Sequence, residues 1–276
     1  MSLGVIATDL DRTLLRTDKS LSDRSHRALL SARRAGWEIA AVTARPPRVL
    51  DEWTLVGESV DVALCAGGAI TYRPSTHEVL ASRTIAAETA LACSLALKAA
   101  VPGLTVAVET GFEVVAEPAY ERVDSVGERR ITAADTEAVF SEARQIAKLL
   151  FHHPERTADE LLTAAREADP SGVDFSHSGG AGLLEVTAEG VEKAGALEEW
   201  CASLGVRAGD VVAFGDAPND VPMLKWAGRS FAVANAHPEA LAAAEERTSS
   251  NDEDGVAEVV EALLDGEEPD RVPAAP

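Results

Sequence analysis

The chain of 276 residues has few cysteines, no long hydrophobic run and little positive charge. Its three cysteines, Cys65, Cys93 and Cys201, are far apart and form no Cys-x-x-Cys pair. This usage argues against a disulfide framework and predicts reduced thiols in a cytoplasmic protein. No apolar stretch reaches the roughly 20 residues that a membrane helix needs, and the N-terminus lacks the pattern of a signal peptide. We therefore expect no membrane partner.

Basic residues are outnumbered: 25 Lys and Arg stand against 46 Asp and Glu, which gives a net charge of −21 and a pI of about 4.6. A nucleic-acid-binding surface needs a basic footprint, so this balance argues against a nucleic-acid partner. An anionic substrate would have to be attracted locally, by a metal and a few cations. The length and the 46% hydrophobic content suit one large or two ordinary globular domains.

The first third of the chain predicts alternating strands and helices. Residues 4–9, 37–42 and 61–65 are short apolar runs typical of buried strands. Residues 21–36 between them predict a helix that Ser22 caps and a glycine ends. Strands that alternate with helices indicate an α/β fold with a doubly wound parallel sheet.

The alternation of strands and helices ends at about residue 82. The segment that follows predicts helices over 85–100, 133–148 and 158–168, a hairpin over 104–115, and strands over 171–178 and 183–187. The earlier pattern returns with a helix over 193–205, a strand that ends at Asp216, a helix from Asp220, a strand over 231–233 and a helix over 256–264. We therefore predict a core domain of residues 1–81 plus 185–276, an inserted α/β cap of residues 82–184, and a disordered tail of residues 265–276.

Polar side chains follow the predicted strands at the point where each strand ends. Asp9 and Asp11 come after the apolar run of the first strand, Thr43 after that of the second, and Asp216 after that of a later one. Open α/β sheets place their ligand sites at the carboxyl ends of parallel strands. Together with Lys193, these residues make an acidic cluster suited to a phosphoryl group and a divalent cation.

The acidic residues allow two interpretations. Asp9 could act as a nucleophile toward phosphorus and Asp11 as an acid and base, although Asp pairs also cap turns. Asp216 and Asp220 could hold Mg²⁺ together with Asp9, since a hard cation relieves the repulsion among carboxylates. The same two residues could instead be an N-cap pair that opens a helix.

The remaining candidates are also open on their own. Thr43 could donate to a phosphoryl oxygen or simply favour a strand. Lys193 could neutralise the nucleophile and the phosphate, or lie on the surface as most lysines do. Arg45 could contact phosphate, gate the cap or form a loop salt bridge.

The order of these segments is more specific than any one of them. The segments ATDLDRTLL, AVTARP, the lysine in GVEKAGAL, and GDAPNDVPML resemble the haloacid dehalogenase superfamily of phosphohydrolases. The large insert is similar to the caps of the Cof-type, sugar-phosphatase-like group. Residues 233–237 and 248–257 strengthen the resemblance.

The resemblance implies a Mg²⁺-dependent phosphatase that hydrolyses small phosphate monoesters, such as sugar phosphates, through an aspartyl-phosphate. It implies that Asp9 is the nucleophile and Asp11 the acid/base residue, and that Thr43 and Lys193 complete the catalytic set. The implied phosphate-binding residues are Asp9, Leu10, Asp11, Thr43, Ala44, Arg45, Lys193 and Asn219. The implied metal site consists of Asp9, Asp11 (through its backbone carbonyl) and Asp216, with Asp220 and Asn219 in support.

Two positions depart from the family pattern. Arg12 stands where the family often has glycine, which alters the turn or adds a cation near the site. Gly67 stands where relatives usually have asparagine, which removes a polar group from the rim that faces the cap.

Other functions fit the same residues. A phosphomutase would return the phosphoryl group to its product, and a receiver-like switch or a phosphate-binding protein would show no turnover. We expect a small phosphorylated metabolite as the partner and a monomer or weak homodimer.

Overall fold

The computed structural model describes residues 4–121, 128–178 and 182–266. The described residues form two sheets with helices packed against them. The strands are β1 (Gly4–Thr8), β2 (Trp37–Val42), β3 (Val62–Cys65), β4 (Ile70–Arg73), β5 (Glu78–Ser82), β6 (Thr105–Glu109), β7 (Val114–Ala116), β8 (Arg130–Thr132), β9 (Lys148–His152), β10 (Val173–Ser176), β11 (Leu183–Ala188), β12 (Val211–Gly215), β13 (Arg229–Val233) and β14 (Glu246–Thr248). The helices are α1 (Asp23–Ala35), α2 (Pro47–Glu52), α3 (Thr54–Ser59), α4 (Ala87–Ala100), α5 (Thr136–Glu142), α6 (Ala158–Ala168), α7 (Lys193–Leu204), α8 (Val221–Trp226), α9 (Pro238–Ala243) and α10 (Gly255–Asp265).

The first sheet has the order β14-β13-β12-β1-β2-β3-β4-β5. Its first six strands in this order run parallel; at one edge β4 pairs antiparallel with β3, and β5 pairs antiparallel with β4. At the centre, Ile6 of β1 lies between Ile39 of β2 and Val212 of β12. The carboxyl ends of β1, β2 and β12 therefore meet at one edge of the sheet, where the predicted site residues follow.

Both faces of the first sheet are covered, because successive side chains of a strand point to opposite faces. Ile6 packs in a core with residues of α1 and α10, including Leu29 and Val260. Val5 packs in a second core with residues of α7 and α8, including Leu197. This arrangement confirms the predicted doubly wound α/β fold.

Helix α1 shows how local sequence sets the element boundaries. The Ser22 side chain accepts a hydrogen bond from the backbone N–H of Ser25, and this caps the helix start. Gly36 ends the helix with a φ of 103°, a left-handed conformation that glycine adopts without a Cβ clash.

The second sheet has the order β10-β11-β9-β6-β7-β8 and is antiparallel except for the β7–β8 pair. Alternate residues such as Val106, Leu149 and Val186 form a core with residues of α4, α5 and α6. The opposite face carries Glu109, Leu150 and other side chains that line a cleft toward the first sheet.

The structure corrects the helix predicted over 133–148. The helix α5 covers only Thr136–Glu142, and the strand β9 begins at Lys148 in the middle of the second sheet. Residues of β9 pair with both β6 and β11, which lie far away in sequence. Long-range pairing thus decides the state of a segment whose local composition favours a helix.

The predicted boundary between residues 184 and 185 falls inside β11, since the whole of Leu183–Ala188 pairs within the second sheet. Strands β4 and β5 were not predicted. Of the predicted tail, residues 267–276 lie outside the described residues, whereas Asp265 ends α10.

A search of the described residues finds no helix with the length and hydropathy of a membrane span. Cys65, Cys93 and Cys201 are buried and unpaired. Burial raises the pKa of the Cys93 and Cys201 thiols to about 12.

Candidate active site

The predicted catalytic residues converge on the edge of the first sheet. Asp9, Thr43 and Asp216 directly follow β1, β2 and β12, and Lys193 begins α7. Asp9, Thr43 and Asp216 line a cleft of about 350 Å³ between the two sheets. Four segments that are far apart in sequence therefore meet at one place, as the position of the motifs predicted.

Lys193 joins two of the carboxylates. Its Nζ donates to Asp9 Oδ1 and to Asp220 Oδ1, each at 2.6 Å. Burial alone would lower the pKa of this ammonium, but the carboxylates of Asp220 and Asp9 outweigh burial and raise it. Lys193 is therefore a permanent cation at the site and not a surface lysine.

Asp220 is occupied by protein donors. Its Oδ1 accepts from Lys193, and its Oδ2 accepts from the backbone N–H groups of Asp216 and Ala217 at 3.0 and 2.9 Å. A Cβ at Gly215 would lie 2.6 Å from the Asp220 Cβ, so this packing requires glycine. Asp220 thus orients Lys193 and the backbone around Asp216.

Carboxylate oxygens of Asp9, Asp216 and Asp220 lie within 4.8 Å of one another. Burial, followed by the charge of Asp220, raises the pKa of Asp216 to about 6. Burial also raises the pKa of Asp9 well above its usual value, although Lys193 opposes this shift. Three carboxylates against one ammonium leave the cluster with excess negative charge.

Asp11 is bound by Arg45. The Arg45 guanidinium donates to both carboxylate oxygens of Asp11, at 2.7 and 2.8 Å, and lies over the Trp53 ring at 5.5 Å. Burial would raise the pKa of Asp11, but the hydrogen bonds and the charge of Arg45 lower it overall. Arg45 therefore forms an ion pair with the predicted acid/base residue.

Thr43 and Ala44 line the cleft beside Asp9. The Thr43 hydroxyl accepts a hydrogen bond from the backbone N–H of Arg45 at 3.0 Å, which leaves its O–H to donate. The Leu10 side chain is fully buried in the core, so only its backbone could serve a phosphate site. Asn219 lines the cleft, and its Oδ1 is buried without a hydrogen-bond partner.

Several supporting residues carried no predicted role. Thr13 Oγ1 donates to Asp216 Oδ1 at 3.0 Å. Asn235 Nδ2 donates to the carbonyl of Arg12 at 2.8 Å, and Asn251 Nδ2 donates to the carbonyl of Leu15 at 2.9 Å. The two asparagines lie in the segments 233–237 and 248–257, which thus hold the turn after Asp11.

Both departures from the family pattern lie in left-handed backbone. Arg12 has a φ of 64° and lines the cleft. Gly67 has a φ of 73°, and a Cβ there would lie 3.7 Å from the Thr187 methyl group of β11. Position 67 therefore faces the second sheet.

The far wall of the cleft combines apolar side chains with charged ones. Two of its carboxylates are in buried ion pairs at 2.6 Å: Glu185 pairs with Lys148 of the same sheet, and Glu109 pairs with Arg48, which belongs to α2. The residues that the second sheet and its loops contribute are Glu109, Val114, Tyr120, Glu128, Lys148, Leu150, Ser178, Leu183 and Glu185.

Comparison with known proteins identifies a family. A model of the haloacid dehalogenase-like hydrolases matches residues 6–260. The protein named "Putative phosphatase YxeH" of Bacillus subtilis (strain 168) is 27% identical over 94% of this chain and 98% of its own length.

Solved structures share the fold. SMU.1108c from Streptococcus mutans UA159 superposes with a TM-score of 0.82 at 23% identity, over 96% of this chain and 100% of its own. BT4131, described as a subclass IIB sugar phosphatase, superposes with a TM-score of 0.76 at 19% identity, over 95% of this chain and 99% of its own.

Proposed function

Since the chain belongs to the haloacid dehalogenase-like hydrolases, we propose that it is a Mg²⁺-dependent phosphatase that hydrolyses small phosphate monoesters through an aspartyl-phosphate on Asp9. The observation that carries this proposal is the contact of Asp9 with Lys193 at 2.6 Å, beside Asp216 and at the floor of a cleft. A nucleophile, a cation and a metal-binding carboxylate are the groups that this reaction needs.

The family match and the phosphatase relative confirm the predicted family and the predicted enzyme class. The metal, the substrate and the role of each residue remain part of the proposal.

In the proposed first step, a carboxylate oxygen of Asp9 attacks phosphorus. The new oxygen–phosphorus bond forms as the bond to the leaving oxygen breaks. Lys193 stabilises the negative charge on the transferring group, and Thr43 donates to one of its oxygens. Because hydrogen bonds already place Lys193 and Thr43, these two side chains need little reorganisation when substrate enters.

Asp11 serves both steps as acid and base. It protonates the leaving alkoxide, and then takes a proton from the water that cleaves the aspartyl-phosphate and restores Asp9. The ion pair with Arg45 favours ionised Asp11, which suits the second step. The first step needs the proton on Asp11, so it requires that the contact with Arg45 loosens as substrate enters.

The carboxylates fit Mg²⁺, a hard cation that prefers oxygen ligands. Asp216 and Asp9 would hold it together with the backbone carbonyl of Asp11, because Asp220 is taken up by Lys193 and two backbone amides. The buried Asn219 Oδ1 is a further oxygen without a partner at this place. When bound, Mg²⁺ neutralises the carboxylates and the phosphoryl oxygens.

The cleft favours a small, hydroxyl-rich leaving group such as a sugar. Its volume of about 350 Å³ is near the lower end for small-molecule sites. Its far wall has apolar side chains, including Val114 and Leu150, next to charged pairs that can exchange hydrogen bonds with hydroxyls. A structural neighbour, BT4131, is described as a sugar phosphatase.

The test is phosphate release. Purified protein with Mg²⁺ would be incubated with sugar phosphates, nucleotides, pyridoxal phosphate and phosphoglycolate, with Asp9→Asn as the control. We expect release that depends on Mg²⁺ and is lost in the variant. Substantial activity in Asp9→Asn would refute the mechanism, and an isomerised sugar phosphate in place of free phosphate would point to a mutase.

A further inference from the structure

The second sheet contributes a buried cation that no step above uses. Lys148 begins β9 and is 3% exposed. Its Nζ donates to Glu185 Oε1 at 2.6 Å and to the backbone carbonyl of Ala44 at 2.9 Å. Ala44 belongs to the other part of the molecule, where it stands between Thr43 and Arg45.

The backbone carbonyls of residues 43–45, which follow β2, accept hydrogen bonds from both parts of the molecule. The Thr43 carbonyl accepts from the N–H of Gly67 at 3.0 Å, and the Arg45 carbonyl accepts from the N–H of Ala66 at 2.9 Å. Both donors follow β3 in the first sheet. The Ala44 carbonyl between them accepts from Lys148, so its orientation depends on the second sheet.

The Ala44 carbonyl and the Arg45 N–H are the two ends of a single peptide group, which is planar. Lys148 holds the carbonyl end. The N–H end donates to the Thr43 hydroxyl at 3.0 Å. A rotation of this peptide plane would therefore move the hydrogen bond that sets the Thr43 side chain.

We propose that Lys148 is a positioning residue for phosphoryl transfer: it fixes the Ala44–Arg45 peptide and, through that peptide, orients the Thr43 hydroxyl toward the phosphoryl group. The inference rests on the proposed function, which gives Thr43 that role. It makes the docking of the second sheet a condition for a complete phosphate site on the first.

The energetics favour a functional reason for this contact. Burying an ammonium and a carboxylate costs desolvation energy that their attraction repays only in good geometry, and well-packed apolar residues often serve stability equally well. A lysine in place of an apolar residue supplies what an apolar residue cannot, a donor for the Ala44 carbonyl. Glu185 then balances its charge.

The test uses a charge-balanced variant. Lys148→Met alone would leave Glu185 as an unpaired buried carboxylate and destabilise the protein. The double variant Lys148→Met/Glu185→Gln removes both charges and still deprives the Ala44 carbonyl of its donor. The matched control, Arg48→Met/Glu109→Gln, removes the other buried pair but keeps the contact of Lys148 with Ala44.

Two measurements do not depend on turnover. Hydrogen exchange of a peptide that contains residues 43–46 reports whether the segment has loosened. Binding of inorganic phosphate to the Mg²⁺-loaded protein reports on Thr43 without any leaving group. Turnover of a sugar phosphate then gives kcat and KM.

In Lys148→Met/Glu185→Gln we expect faster exchange at this segment than in the wild type. We expect weaker phosphate binding by about tenfold, and a kcat lower by about 10- to 100-fold, since small misplacements of a positioned group cost up to about 100-fold. In the control pair we expect exchange near that of the wild type at residues 43–46.

Three results would overturn the inference. One is wild-type exchange and phosphate affinity in the double Lys148 variant. Another is a single Lys148→Met defect that disappears when the double variant restores stability. The third is a loss confined to bulky substrates with phosphate affinity intact, which would assign Lys148 to the leaving group. If the wild type itself released no phosphate, the proposed function would fail, while hydrogen exchange would still decide whether Lys148 holds residues 43–46 in place.

Discussion

The cleft has one wall from the first sheet and one from the second, and the two walls differ in how their buried charges are balanced. On the first sheet, three buried carboxylates lie together and the ammonium of Lys193 contacts two of them, so negative charge is left over. At the second sheet, Glu109 of β6 pairs with Arg48 of α2, and Glu185 of β11 pairs with Lys148 of β9, so charge is balanced. An unbalanced buried cluster takes up a cation or protons to relieve its charge, whereas a balanced one can stay buried without either.

The largest effect should follow from Lys193→Met, which removes the only cation in direct contact with the acidic cluster among the described residues. We expect phosphatase activity to fall by at least about 1,000-fold and unfolding free energy to fall by about 3–5 kcal/mol, as for other broken buried ion pairs. Denaturant unfolding with and without Mg²⁺ measures the second effect.

Mg²⁺ should restore part of the stability that Lys193→Met loses, because it supplies the missing positive charge. If the variant unfolds like the wild type without metal, then the cluster is not strained by excess negative charge. The contrast between the two walls would then be wrong.

For the ion pair of Glu109 with Arg48, we expect that removing both charges costs less stability than removing one. Arg48→Met or Glu109→Gln alone should cost about 3 kcal/mol, whereas the double variant should recover most of that loss because no unpaired charge remains. A double-mutant cycle by denaturant unfolding measures the coupling. Additive losses would show that Arg48 and Glu109 act independently, despite their 2.6 Å contact.

The excess negative charge of Asp9, Asp216 and Asp220 can also be tested by proton binding. The pKa of Asp216 rises from 3.8 to about 6 in the folded protein, and the pKa of Asp9 is also raised. The folded state then binds more protons than the unfolded state between these values. In the absence of metal, stability should fall as pH rises from about 4 to 6, by about 1–3 kcal/mol.

Mg²⁺ competes with these protons, so its stabilising effect should be larger at pH 7.5 than at pH 5. With metal at about 100 times its dissociation constant, we expect a gain of about 2.7 kcal/mol at the higher pH and clearly less at the lower. Thermal unfolding with Mg²⁺ or with chelator, at both pH values, measures this. An equal shift at both would mean that the metal binds elsewhere.

The two walls also differ in how far sequence could predict them. Asp9, Thr43 and Asp216 each follow an apolar strand, so the rule that parallel strand ends meet at one edge of a sheet predicts them together from sequence. Local composition predicts Lys148 at the end of a helix, because the strand β9 that it begins depends on pairing with distant strands. Its bond to Ala44 could not be derived from spacing alone.

The supporting residues of the first wall lie between these cases. Asn235 and Asn251 fall in segments that strengthened the family resemblance, yet their contacts with the turn after Asp11 follow only from the folded chain. The sequence predicts Arg45 near the site but does not predict that it pairs with Asp11. An arginine side chain is long, so its position in sequence does not decide which carboxylate it contacts.

We expect the smallest effect on stability from replacing Arg12, which lines the cleft near Asp216. Its φ of 64° is left-handed, a conformation that costs a residue with a Cβ about 1 kcal/mol and costs glycine little. Arg12→Gly relieves this strain but gives the unfolded chain more freedom, so we expect a net gain of up to about 0.5 kcal/mol.

Arg12→Ala is the matched control, because it removes the same charge near Asp216 and keeps the left-handed strain. Loss of that cation should raise the pKa of Asp216 in both variants, since Arg12 is among the groups that lower it. Denaturant unfolding should therefore rank Arg12→Gly above Arg12→Ala. If the two variants are equally stable, the relief of strain in the turn does not exceed the freedom that glycine adds to the unfolded chain.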